Sequence, residues 1–142
     1  MAYFVTGATG FIGRHLVDEL VDHREGTVYV LCRESSLERM ASLVEAWGTE
    51  RVVPVVGDLG SDRLGVAEEW IEEHRGGIDH FFHLAAIYDM TADDVTNEQL
   101  NVGGTRHDLE LAEALQAGCF HQVSSVAAAG DHHGTFDETM FE

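Results

Sequence analysis

Apolar positions along this chain switch repeatedly between two spacings. Tyr3-Phe4-Val5 is a short continuous apolar run; Ile12, Leu16 and Leu20 then recur four apart with Val17 and Val21 beside them; and Val28-Tyr29-Val30-Leu31-Cys32 is continuous again. Continuous runs of about five apolar residues bounded by glycine predict strands buried on both faces, and the four-residue spacing predicts a helix. The alternation persists. Leu37, Met40, Ala41, Leu43 and Val44 predict a second helix up to Gly48, opened by Ser35-x-x-Glu38 in the form of a capping box. Val52 to Val56 predicts a third strand, in which Pro54 warns of an irregular ladder. Val66 to His74 reads as a short acidic helix, and Ile78 to Leu84 as a fourth strand. From about Asp93 to Ala117 a long helix carries Leu100, Leu111 and Leu115 on one face, and Cys119 to Val123 is a fifth strand. The Gly103-Gly104 pair inside that helix costs stability unless close helix-to-sheet contact requires the missing side chains.

Strands alternating with helices at these lengths predict an α/β fold, a doubly wound parallel sheet with helices on both faces, because right-handed crossovers leave few other arrangements. Its ligand is then expected beyond the carboxyl ends of the strands. A chain of 142 residues fits one domain, 1–142, and no repeat or low-complexity linker divides it. The tail from Gly130 to Glu142 is polar, acidic and aperiodic.

Charge changes the picture more than composition does. Asp and Glu number 26 against 8 basic residues, all arginine, for a net charge of −18. Such self-repulsion is tolerated where ions screen it, so a halophilic protein is expected, and phosphate backbones are repelled, which disfavours nucleic acid as a partner. Cys32 and Cys119 sit in strand-like runs without metal-type spacing and read as small buried side chains with no disulfide. With no apolar run approaching membrane-spanning length and no leader-like opening, a soluble, cytoplasmic protein without a membrane partner is expected.

The candidate chemistry begins at Thr6-Gly7-Ala8-Thr9-Gly10-Phe11-Ile12-Gly13, which leaves the first strand and opens the first helix. Unbonded N–H groups and the positive helix end face this turn, and its small residues admit a pyrophosphate, so a dinucleotide site is expected. After the second strand, where an acidic residue would bind the ribose of NAD, stands Arg33, which can pair with a 2′-phosphate; NADP is favoured over NAD.

The run from Thr6 to Leu16, with glycines at Gly-x-x-Gly-x-x-Gly spacing, resembles the opening of the extended short-chain dehydrogenases, the group of sugar-nucleotide epimerases, dehydratases and acyl or flavonoid reductases. The resemblance covers essentially the whole chain and implies a Rossmann-type domain that transfers hydride between NADP(H) and the carbonyl or alcohol of a small-molecule substrate. It implies that Asp58 and Leu59 meet the adenine, that Leu84, Ala85 and Ala86 lie against the pyrophosphate and nicotinamide ribose, and that Tyr88 lines the cleft. His83 is expected to be a hydrogen-bonded structural residue. Asn101-Val102-Gly103-Gly104-Thr105 is similar to the family's Asn-Val-x-Gly-Thr, which makes Asn101 a support of the active site. In Val123-Ser124-Ser125 the resemblance assigns the catalytic hydroxyl to Ser125, with Ser124 beside it. The stretch from Phe81 to Met90 looks more like acyl or aldehyde reductases than sugar epimerases, and the long helix suggests a homodimer.

One departure stands out. The family's Tyr-x-x-x-Lys, which moves the proton during hydride transfer, has no counterpart, since the sequence contains no lysine. The expectation is therefore a domain truncated after the fifth strand, a fragment of a longer enzyme. A nucleotide-binding module without catalysis and an epimerase or dehydratase fragment are the alternatives. Asp131, His132 and His133 lack recognised ligand spacing, so no metal is expected. Ser125 and His121 lack the Gly-x-Ser-x-Gly elbow of a hydrolase.

Overall fold

A computed structural model gives the fold and describes residues 1–85, 94–125, 129–137 and 139–140. Five parallel strands, β1 (Ala2–Thr6), β2 (Thr27–Cys32), β3 (Val52–Val56), β4 (His80–His83) and β5 (Cys119–Gln122), lie in the order β3-β2-β1-β4-β5. Four α-helices connect them: α1 (Phe11–His23), α2 (Leu37–Trp47), α3 (Glu68–His74) and α4 (Asp94–Ala114). The order reverses between β1 and β4, and the crevice outside their carboxyl ends is the topological switch point where such sheets bind ligands.

The period-two alternation of β1 divides the core. Tyr3 and Val5 pack with Val17, Leu20, Met40 and Val44 under α1 and α2. Phe4 faces the other way, with Phe81, Ile71, Leu111 and Leu115 under α3 and α4. Phe4 and Phe81 stack at 4.8 Å, which continues across to Phe120 at 5.4 Å. Of the long-helix leucines, Leu111 and Leu115 are fully buried, while the side chain of Leu100 lies outside the described residues.

Several local expectations are corrected. The buried stripe of α1 is Gly13, Val17 and Leu20, while Ile12 is exposed, because Gly13 must pack beneath Gly7 and this turns the helix by one position. The Ser35 capping box does not form: residues Glu34–Ser36 make a 3-10 turn and α2 begins at Leu37 after Ser36, with no side-chain cap. Pro54 disturbs nothing, since β3 is an edge strand and Val30 pairs with Pro54 in unbroken register. Cys32 is buried, but Cys119 is exposed at the edge; both are free thiols. The glycine pair of α4 does not mark helix-to-sheet contact. Among the described residues, a side chain at Gly103 would meet nothing within 4 Å, and one at Gly104 only the Leu59 carbonyl oxygen at 4.0 Å, in the loop after β3.

Candidate functional site

The glycine turn is held by the backbone it touches. Gly7 has φ of +76°, and a Cβ there would come within 2.8 Å of Ala85 N and of the Leu84 carbonyl carbon, so the turn sits directly on the end of β4. The Gly10 N–H donates to the Gly7 carbonyl at 3.0 Å, and Arg14 Nε donates to the Thr9 carbonyl at 3.2 Å. Gly10 then serves as N-cap of α1 without any side-chain cap, and no acidic residue occupies the first turn, although α2 and α3 both carry glutamate there. In so acidic a chain, an uncapped helix start kept clear of carboxylates is a place suited to an anion.

Two cavities meet at this point. The first, of about 270 Å³, is walled by Gly7, Thr9, Gly10, Arg33, Leu59, Leu84 and Ala85 among others. The second, of about 820 Å³, lies between α4 and the carboxyl ends of β4 and β5, with Asn101, Ser124 and Ser125 in its wall. Leu84 and Ala85 belong to both, so the two form a continuous cleft around the end of β4. Ser124 and Ser125 are exposed to it. Arg33 is exposed; its carbonyl accepts the Ser36 N–H at 2.8 Å, and its guanidinium makes no ion pair or hydrogen bond among the described residues. Ser36, which sequence reasoning passed over in favour of Ser35, lines the first cavity beside Arg33. Cys32 also lines it, its thiol pushed up by burial and so poorly nucleophilic.

Other expected contacts stand behind the wall or away from it. Thr6, Ala8 and Gly13 are buried under the turn. Phe11 and Ile12 are exposed on α1 and belong to neither cavity wall. Asp58 turns its carboxylate back to accept the Gly60 N–H at 2.8 Å and does not line the cavity, whereas its neighbour Leu59 does. Ala86 and Tyr88 lie outside the described residues.

Behind the cleft is a polar cluster whose acidic member went unread. His83 is 3% exposed, and its Nδ1 lies 3.1 Å from Thr6 Oγ1 and 3.0 Å from Asp108 Oδ2. Thr105 donates its hydroxyl to the Asn101 carbonyl, leaving its oxygen to accept from His83 Nε2 at 3.3 Å, and Thr6 Oγ1 accepts the Ala85 N–H at 3.3 Å. Asp108 is fully buried, and neither of its carboxyl oxygens has a well-aligned hydrogen bond among the described residues, the His83 contact being close but off-line. Burial pushes its carboxyl above the usual range, with His83, Thr6 and His107 opposing. The sequence did carry a signal: Asn101, Thr105 and Asp108 recur at four and three residues, a polar stripe on one helix face leading into buried Leu111.

Comparisons with known proteins agree with this geometry. The family model described as male sterility protein matches residues 5–142. A polypeptide of the linear gramicidin synthase of Brevibacillus parabrevis is 29% identical over 94% of this chain and 3% of its own length. The L-2-aminoadipate reductase large subunit of Penicillium chrysogenum is 30% identical over 88% of the chain and 10% of its own. Among solved structures, the terminal R domain from the myxalamid PKS-NRPS biosynthetic pathway is 31% identical with a TM-score of 0.75, over 89% of this chain and 35% of that one. Yeast methylglyoxal/isovaleraldehyde reductase Gre2, complexed with NADPH, is 25% identical with a TM-score of 0.64, over 80% and 33%. The chain thus spans about a third of these solved relatives and far less of the curated ones. On the extent of the match and the parallel sheet it folds into, the chain belongs to the male sterility protein family, of the extended short-chain dehydrogenase type.

Proposed function

We propose that this chain is the cofactor-binding part of a reductase that passes hydride between NADP(H) and the carbonyl or alcohol of an acyl- or aldehyde-type substrate. The observation that carries the reading is the uncapped, carboxylate-free start of α1, pinned by Gly7 against β4 and opening into a cavity that holds Arg33. The residues fit the cofactor: Gly7, Thr9 and Gly10 wall a cavity of about 270 Å³ at the start of α1, and a side chain at any of the glycines would intrude on the turn, so the backbone there is open to a pyrophosphate. Gly7, Thr9 and Gly10 hold that group, with Leu59, Leu84 and Ala85 against the rest of the nucleotide. Arg33, with Ser36 beside it, takes the 2′-phosphate and sets the preference for NADP over NAD. That the Gre2 structure contains NADPH supports the choice.

The nicotinamide, when bound, supplies or accepts the hydride. This chain's own part is to bind and orient: Ser125 holds the substrate oxygen by its hydroxyl, with Ser124 beside it, and Asn101 supports them across the second cavity. A Tyr-x-x-x-Lys pair does not occur in these 142 residues, so turnover belongs to this reading only together with a proton donor from elsewhere. The alternative reading is a nucleotide-binding module without catalysis. The wider reading takes the protein as cytoplasmic and halophilic, without a nucleic-acid partner and dimerising through α4; no described helix is long and apolar enough to cross a membrane.

Calorimetric titration of NADPH and NADH into the chain in molar salt tests the site. NADPH is expected to bind more tightly. Arg33→Ala should erase that preference, weakening NADPH by about tenfold or more, the value of lost charged hydrogen bonds, with little change for NADH. A folded chain that binds neither nucleotide would overturn the proposal, and equal binding by the Arg33 variant would remove the assignment of NADP.

A further inference from the structure

At the opposite, amino end of β4 and β5, about 10 Å along the strands from the nucleotide cleft, three potential ligands converge. His80 pairs with Cys119 in the β4–β5 register and Phe82 pairs with His121, so His80, Cys119 and His121 project from the same face of the sheet. A ligand atom from each lies within 4.8 Å of the others, and His80 Nδ1 is 3.0 Å from His121 Nε2. Stacking fixes both rings: Tyr3 lies 5.7 Å from His80 and Phe82 lies 4.4 Å from His121. Cys119 is exposed and both histidines are half-buried, so the cluster can be reached from solvent.

We propose that His80, Cys119 and His121 form a binding site for a borderline-soft divalent cation of the zinc class, with a fourth position left for water or another ligand. Two imidazoles and a thiolate are a donor set suited to zinc. Around a tetrahedral ion with Zn–N near 2.0–2.1 Å, two nitrogens stand about 3.3 Å apart, so the present separation needs a shift of only a few tenths of an ångström. The hydrogen bond between the rings accounts for the two histidines without involving the thiol; the metal accounts for all three. The ring nitrogens must be neutral and the thiol ionised to ligate, so uptake of the ion releases protons. The ion would fasten edge strand β5 to β4, and the protein's charge of −18 draws cations toward it. The site makes no use of the nucleotide assignment and stands independently of it.

The test is titration of the full, tag-free chain under reducing conditions with Zn(II), and with Co(II) as a spectroscopic probe. The native chain is expected to take up a single equivalent with a thiolate-to-cobalt charge-transfer band, and to melt at higher temperature with zinc present. Cys119→Ser, which changes an exposed thiol to a hydroxyl, should abolish the band and weaken zinc by more than about tenfold, at least the effect of losing a group that only supports a ligand. His121→Gln should weaken zinc likewise. His107→Gln, at the separate cluster of Asp62, His107 and Glu110, should leave the band and the affinity unchanged. Absence of the band, its survival in folded Cys119→Ser, or its loss in folded His107→Gln would each overturn the proposal. Circular dichroism confirms folding of each variant, and if His121→Gln does not fold, the Cys119 substitution decides alone.

Discussion

Two glycines of one turn respond to substitution for different reasons. A Cβ at Gly13 would fall inside the Gly7 carbonyl group, so the helix cannot keep its packing beneath the turn. Gly10 has an ordinary φ of −73° and walls the first cavity, and a Cβ there would stand 3.3 Å from the Gly7 oxygen, a tight contact but far short of the clash at Gly13. Gly13→Ala should therefore lower stability by about 1–3 kcal/mol, the usual cost of overpacking, measured by denaturant unfolding. Gly10→Ala should cost less stability than Gly13→Ala yet weaken nucleotide binding, measured by calorimetry. Asp108 offers a second residue-level test. Its folded carboxyl titrates above its unfolded value, so its contribution is fully present below the unfolded value, near about 4, and is lost as pH rises through the folded one. Asp108→Asn keeps the shape without the charge. Thermal melts of native and variant should show the native chain losing stability relative to the variant as pH rises above that unfolded value; parallel curves would mean that the carboxyl titrates normally.

At the scale of elements, the seams are closed by a few polar side chains. The last turn of α1 has its carbonyls gathered by one residue from the turn before β3. Arg51 donates from Nε to the Gly26 carbonyl at 2.9 Å and from Nη2 to the Arg24 carbonyl at 2.6 Å, with the Leu20 and Val21 carbonyls within 3.5 Å. It thereby ties the start of β2 and the end of α1 to the entry of β3. A planar guanidinium spreads five N–H donors over a fixed fork and reaches carbonyls on different sides of it, whereas an ammonium offers three from one point. Arg51→Lys is expected to cost about 1.5–3 kcal/mol, the range for hydrogen bonds to a charged group, read from the shift in the urea midpoint at constant slope. On the opposite side, α4 is joined to the loop after β3 by His107 Nδ1 facing the Leu59 carbonyl at 3.0 Å, and to β4 and β1 by the His83 cluster. The helix that walls the second cavity is thus also tied to the residue that lines the first.

For the whole molecule, charge is the dominant variable. Most of the 26 acidic side chains have no basic partner available, because only 8 arginines exist to meet them. Raising ionic strength from 0.1 M to 1 M shortens the screening length from about 10 Å to about 3 Å. The melting temperature of the chain should then rise by about 5 °C or more, the equivalent of one to two kcal/mol for a domain of this size. Scanning in sodium chloride checks this, and a flat or falling trend would show that self-repulsion is not what limits stability. Nucleotide titrations belong in the same salt, where the anionic ligand is least repelled by the protein's field.

The strand and helix alternation, the parallel sheet and the position of the glycine turn were legible in the sequence because they rest on local periodicity and on residues whose backbone freedom has few other uses. Val28 to Cys32 reads as a strand, and Gly7 to Gly13 as a turn that opens a helix. Arg33 could be placed at the cleft because it follows β2 directly, whereas Leu59 was placed there by the resemblance of Asp58-Leu59 to the family's pair. Contacts across the sheet were not legible. Which face of α1 is buried was settled by Gly13 packing on Gly7, not by the leucine spacing. Asp58 is drawn away from the cavity by an amide two residues on, and Cys119 is exposed because β5 is an edge. His83 and Asp108 stand 25 positions apart with no shared motif, and His80 and Cys119 stand 39 apart. Sequence spacing reports what one element presents along its own axis; only the packing of α4 on β4, and the register of β4 with β5, decides which side chains share a site.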